Sequence, residues 1–284
     1  MTDRFQVRPP TLAGVTATDG TGRIEAGTTA AVGWTLVPTD AAAPNEPVTY
    51  SVGGQLSYTQ DGVAVVVPIQ SVPLTVLPNP QLVVNYFHQR DVFSDDPFTN
   101  VVESSQPYSL AVLIRNDGAG AAKNLTITSA QPKIVDNEKG LLVDFRIVGT
   151  EVQGQNLSPS LTANFGTIAP GESAIGRWLL TSSLQGHFVD YDATFQHVDG
   201  LGDPRLSIIK SVNIHEMLHT VNAGEGGDTR PDFLVNENPQ VVTLPDTVWF
   251  SNSTTAAVTV AANVSVSGAA ANGLTLSANA SSGY

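Results

Sequence analysis

The chain has 284 residues, 41% hydrophobic and 14% charged, with 26 acidic side chains against 13 basic and a formal net charge of −13. Such a balance excludes a disordered tail and argues against nucleic acid or anionic membrane as partners, whose charge the chain would meet with its own across a screening length of ~8 Å. The absence of cysteine excludes disulfides and thiolate metal centres, and no run reaches the ~20 apolar residues of a membrane-crossing helix.

At ~100 residues per β-sandwich, the length suits two modules and the start of a third. Residues 1–11, with Pro9-Pro10, read as an extended lead-in that lacks the apolar segment of a signal peptide. Five strand-like runs come next, at 12–18, 28–37, 48–58, 63–67 and 72–77, broken by Asp19-Gly20, residues 40–47, Asp61-Gly62 and Pro68. High Gly, Thr and Val content without a 3.6-residue apolar stripe argues against helix. These runs predict a first sandwich over residues 12–79. Pro78-Asn79-Pro80 is a stiff hinge, since both prolines fix φ and bias the preceding residue toward extended geometry.

The second module is predicted over residues 80–223. It opens on a strand at 81–88 and an acidic loop at 91–100, then an alternating run, Tyr108-Ser-Leu-Ala-Val-Leu-Ile114. The turn Arg115-Asn-Asp-Gly-Ala-Gly-Ala121 leads to a second alternating run, Lys123-Asn-Leu-Thr-Ile-Thr128. Strands at 141–152 and 161–165 precede Ile168-Ala-Pro-Gly-Glu-Ser-Ala-Ile-Gly-Arg-Trp178, and further strands are placed at 187–197 and 206–221. Period-two alternation with Asp-Gly and Pro-Gly turns is the pattern of half-buried antiparallel strands. A Gly-rich linker at 224–228 leads to residues 229–284, read as an incomplete third β module. We expect the chain to be an excised piece of a longer protein.

The segments N-D-G-A-G-A-A-K-N-L-T-I and I-A-P-G-E-S-A-I-G-R-W resemble the CARDB/NEW3-like immunoglobulin modules of large bacterial surface proteins. The resemblance covers roughly residues 80–221. It implies an all-β fold of tandem immunoglobulin-like sandwiches and an extracellular or cell-surface, structural or adhesive task. Neighbouring modules of the same chain would be its partners, with a surface glycan or protein beyond them. An internal repeat points the same way. Gly27-Thr-Thr-Ala-Ala-Val-Gly-Trp34 aligns with Gly171-Glu-Ser-Ala-Ile-Gly-Arg-Trp178, with a weaker echo at Ser253-Thr-Thr-Ala-Ala-Val-Thr-Val260. Trp34 and Trp178 are therefore expected at equivalent core positions.

One motif carries chemistry. His215-Glu216-Met217-Leu218-His219 matches H-E-x-x-H, which on a helix sets two imidazoles one turn apart to bind zinc, with the glutamate as general base. A zinc peptidase would use His215 and His219 as ligands, Glu216 as base and Glu225 as third ligand. Against it, the preceding Ser207-Ile-Ile-Lys-Ser-Val-Asn-Ile214 is β-branched and alternating, which extends a strand through the histidines. On a strand the two imidazoles would lie on one face about 13 Å apart at ~3.3 Å per residue, too far to share a metal. We therefore expect no catalytic site.

Two acidic groups, Asp91, Asp95 and Asp96 and then Glu225, Asp228 and Asp232, suit the oxygen ligands of calcium but lack EF-hand spacing. Solvated loops are the simpler reading, and no cofactor is expected. His88, His187 and His197 have no motif spacing. Five N-x-[ST] sequons stand at Asn124, Asn156, Asn252, Asn263 and Asn279. Tyr86, Phe87, Phe93 and Phe98, close to the acidic loop, would be the stacking residues of a carbohydrate-binding accessory module.

Overall fold

The computed structural model describes residues 3–128, 143–187, 207–223, 228–238 and 244–259, together with the backbone of 265–270 and 274–279. Among the described residues the regular structure is β throughout, apart from one turn of 3-10 helix at Asp40–Ala42. The chain divides into two compact units, the first built on Met1–Gln81 and the second holding most of the residues from Leu82 onward.

The first unit departs from the sandwich expected over 12–79. It consists of three two-stranded ribbons: β1 (Phe5–Val7) with β4 (Leu36–Pro38), β2 (Thr11–Ala13) with β3 (Ala31–Gly33), and β5 (Val48–Gln60) with β6 (Val63–Val76). β1 falls within the predicted lead-in. The core is correspondingly small: Ala42, Ala43 and Val76, with Phe5, Val48 and Tyr50 packed against them. Phe5 meets Tyr50 edge-on at 4.7 Å, and the Tyr50 hydroxyl donates to the Ala42 carbonyl. Trp34, expected in a core, is 53% exposed just beyond β3. The runs at 63–67 and 72–77 form one strand through Pro68, because proline is tolerated where its missing N–H faces away from the ladder. Asp61 and Gly62 both adopt positive φ, 49° and 79°, the turn that an Asp-Gly pair favours.

The second unit is organised on one mixed sheet. Its strands are β7 (Leu82–Gln89), β9 (Tyr108–Asn116), β11 (Phe145–Val152), β12 (Gln155–Leu157), β14 (Ser173–Ser182), β16 (Ile209–Val221), β17 (Asp232–Asn236), β18 (Thr247–Trp249) and β19 (Thr255–Ala257). They lie in the order β12-β11-β14-β9-β7-β16-β17-β18-β19, and only β7 and β16 run parallel. Shorter pairs join β8 (Asp91–Val92) to β15 (Gly186–His187), β10 (Ala122–Ile127) to β13 (Ala163–Ile168), and β20 (Ser265–Ala270) to β21 (Leu274–Asn279). The sequence places residues 232–257 in a separate third module. They instead continue the sheet of the second, since β17 pairs with β16. Most of the strand predicted at 187–197 lies outside the described residues.

The central strands are buried on both faces, which explains why β7 and β9 read as nearly continuous apolar runs. One face carries Trp178, Leu110, Val112, Tyr108 and Leu180. There the β10–β13 pair covers the sheet, and the Phe165 ring sits over Gly176, where an added Cβ would lie 2.8 Å from two ring carbons. The opposite face holds Phe87, Ala111, Leu113, Ile175, Met217, Phe233 and Val235. The sheet curls around this cluster: Phe87 of β7 reaches Trp249 of β18, three strands away, at 5.7 Å between ring centroids, against ~14 Å between flat strands. Gly154, in the β11–β12 turn, lies against Thr229 ahead of β17.

The two segments that carry the family resemblance come together. Asn116, fully buried, donates from its side chain to the Ile168 carbonyl and from its backbone to the Glu172 carbonyl, and Gly171 donates back to Asn116. Gly27, Gly171 and Ser253, the first residues of the three repeat segments, share positive φ of 76°, 77° and 68°. The first two turns close alike, Thr28 donating to the Glu25 carbonyl and Glu172 to that of Ala169, but the strands after them bury different residues. Trp178 is fully buried where Trp34 is not.

Candidate functional site

Residues 209–221 form a strand, as their β-branched alternation predicts. The strand contains a β-bulge between Met217 and His219: Met217 stands opposite Val235 and His219 opposite Leu234. Two residues advance on β16 for one on β17, so Leu218 is the extra residue and the side-chain phase inverts there. The expectation that both histidines share a face is thereby overturned. His215 points into the aromatic cluster, whereas His219 is exposed on the other side of the sheet. The two imidazoles cannot converge on one ion. Glu225 lies outside the described residues.

His215 is 8% exposed and held on all sides. Its Nδ1 donates to Glu237 Oε1 at 2.7 Å, and its Nε2 lies 3.2 Å from Asn85 Oδ1. The ring stacks on Phe87 at 5.0 Å and meets Trp249 at 4.7 Å. Trp249 Nε1 donates to the same Glu237 oxygen at 3.0 Å, and Asn213 donates to Asn85 Oδ1 at 2.9 Å. The topology dictates this grouping. Parallel pairing sets Asn85 opposite Asn213 and Phe87 opposite His215, while β18 brings Trp249 beside Phe233. The hydrogen bond from His215, seconded by that from Trp249, holds the Glu237 carboxyl below the usual glutamate range against the opposing effect of burial. Asp246 accepts the backbone N–H groups of Glu237 and Asn238 and orients this segment.

Glu216 leaves the His215 side of the strand. It pairs with buried Arg90 at 2.9 Å, and Arg90 also contacts Asp91 at 3.3 Å. Asp91 in turn binds His187 Nδ1 at 2.9 Å. Burial would raise the Asp91 pKa, but the bonds from His187 and Arg90 outweigh it and hold the carboxyl low. The proposed general base is therefore a salt-bridge partner, well separated in role from either histidine.

The remaining calcium candidates are also occupied by the fold. Asp95 accepts the Glu103 N–H, Asp96 accepts the Phe98 N–H, and Glu103 accepts Asp96 N–H and the Thr99 hydroxyl. Asp228 binds Arg230 and Ser251, while fully buried Asp232 accepts the Ala223 and Ser251 N–H groups. Among the described residues no three acidic or imidazole groups converge. Each carboxylate instead replaces a missing backbone partner in a loop.

Of the four aromatic residues proposed for sugar stacking, Tyr86 and Phe87 are core residues, 5% and 0% exposed. Phe93 and Phe98 are 55% and 73% exposed. They flank an open cleft bordered by Asp91, Asp96, Gln185 and His187. Asn85, Arg90, Glu237 and Trp249 carry no motif spacing and became visible only through strand pairing. The one available signal was the indole of Trp249 in the short apolar run Val248-Trp249-Phe250, since a Trp N–H that packs against a core usually finds an acceptor. Among known protein families, curated proteins and solved structures, none matches this chain.

Proposed function

We propose that the chain is a non-catalytic structural and adhesive part of a large extracellular or cell-surface protein. In this reading its second unit is an immunoglobulin-like sandwich of the CARDB/NEW3-like kind, set in series with neighbouring modules of the same chain. The observation that carries the reading is the bulge at Leu218, which turns His215 and His219 to opposite faces. A zinc-dependent hydrolytic site needs convergent ligands and an open position for water. Here His215 is enclosed between Phe87 and Trp249, and Glu216 is committed to Arg90. The facing β10–β13 pair, and the meeting of the two resemblance segments at Asn116, support the sandwich assignment. The test is elemental analysis of unchelated protein beside a peptidase assay. The expected result is no stoichiometric zinc and no hydrolysis. Stoichiometric zinc lost together with peptidase activity in His219→Ala would replace this reading with a zinc metallopeptidase.

A second reading, a carbohydrate-binding accessory module, is favoured by the exposed Phe93 and Phe98 beside polar groups at the cleft. Affinity electrophoresis against polysaccharides separates the two. Retardation abolished by Phe98→Ala supports the glycan reading, and unretarded migration removes it.

A further inference from the structure

The β5–β6 ribbon has one face built for contact. Its register places Val48, Tyr50, Val52, Leu56 and Tyr58 beside Val76, Leu74, Val72, Val67 and Val65 on one side, with Ile69 opposite Gly54 and Val63 opposite Gln60. The other side carries Thr49, Ser51, Gln55, Ser57 and Thr59 opposite Thr75, Pro73, Pro68, Val66 and Ala64. This segregation depends on a bulge. Val63, Val65, Val67 and Ile69 stand at odd positions and Val72, Leu74 and Val76 at even ones, and the register shift at Gln70 and Ser71 brings both series to one face. At its base Val48, Tyr50 and Val76 are covered by Phe5, Ala42 and Ala43, but the rest of the apolar face is open: Leu56 is 50% exposed, Val63 65%, Ile69 53% and Val72 63%. A two-stranded ribbon with an uncovered apolar face is at best marginal in water, and a sheet buries such a face against a second layer.

We propose that the second layer is the same face of a second copy of this chain, packed antiparallel about a two-fold axis. Three observations select this occupant. The ribbon's 29 residues carry a single charge, Asp61 at the tip, so the face offers a charged partner nothing to read. Antiparallel packing of the open stretches sets the two Asp61 carboxylates at opposite ends, ~35 Å apart, whereas parallel packing would bring them together. A two-fold contact needs only a self-complementary surface, which a row of Val, Leu, Ile and Tyr supplies. Pairing the open stretch, ~35 Å by ~10 Å on each copy, buries ~700 Å² in all, the size of a weak, reversible contact. The proposal does not rest on the function proposed above.

The test uses the full chain and two adjacent valines. Val67 lies on the apolar face and Val66 on the other, 42% and 57% exposed. Sedimentation equilibrium is expected to show a reversible dimer for the parent and for Val66→Glu. Val67→Glu should weaken it ~100-fold or more, since the charge would be buried without a partner. A parent that stays monomeric to ~100 μM, or equal dissociation constants for the two variants, overturns the proposal. Because the chain has no cysteine, Leu56→Cys and Ser57→Cys give a reading independent of variant stability. Near the centre of the ribbon, Leu56→Cys should cross-link to a covalent dimer under mild oxidation and Ser57→Cys should not. Equal cross-linking of both would overturn the face assignment.

Discussion

His88 shows how a single side chain can set the pH range of the fold. It is 3% exposed on β7 beside the Tyr108 ring, and its cross-strand neighbour Glu216 is engaged by Arg90. Burial lowers its pKa from 6.5 to about 4. The unfolded chain therefore takes up a proton below pH 6.5 that the folded chain refuses until about pH 4. Stability falls as pH drops through that window and levels off beneath it. The contribution is about 3 kcal/mol at 1.36 kcal/mol per unit. Denaturant melts of the parent at pH 7 and pH 4 should differ by that much more than those of His88→Gln. Parallel pH profiles for the two proteins would show that His88 is protonated in the fold.

At the scale of elements, packing is decided by small residues and irregularities rather than by strand propensity. Gly176 on β14 is the clearest case, because its missing side chain admits the Phe165 ring of β13. Gly176→Ala would place a methyl 2.8 Å from that ring and should cost ~1–3 kcal/mol by overpacking. Thermal melts provide the check, and an unchanged midpoint would mean that the β10–β13 pair is not pressed onto the sheet. Gly118 and Gly120 act in the same way against the Pro78–Pro80 segment. A Cβ at Gly120 would meet the Pro78 carbonyl oxygen at 2.0 Å, and the Gly120 N–H donates to Asn79. In the sequence these two glycines read as turn residues; their tertiary use is to let two backbones touch.

For the second unit as a whole, the strands after residue 224 are part of the core. Phe233 and Val235 are buried beside Phe87 and Met217, and Trp249 covers them. Removing residues 224–284 would strip these side chains from the cluster, at ~1.5–3 kcal/mol for each large apolar group uncovered. A chain ending at residue 223 should therefore aggregate or lose its cooperative melt. An equally cooperative melt at the parent midpoint would restore the separate third module that the linker composition suggests.

Local pattern determined the secondary structure. Apolar runs, period-two alternation and turn residues located β7, β9 and β16 to within a few residues, because such patterns are properties of neighbouring residues. The acidic loop and the absence of a membrane-length helix among the described residues were legible for the same reason. Only the tertiary structure decided how strands join and which face a side chain takes. The two tryptophans of the repeat share their turn, yet burial separates them, since burial depends on what lies across the sheet. The histidines of H-E-x-x-H share a motif, yet one extra residue inverts the phase of the strand between them. That bulge is fixed by the register of β16 against β17, a partner that begins eleven residues after β16 ends. Spacing along the chain carries no record of such long-range register, so the functional reading of the motif had to wait for the fold.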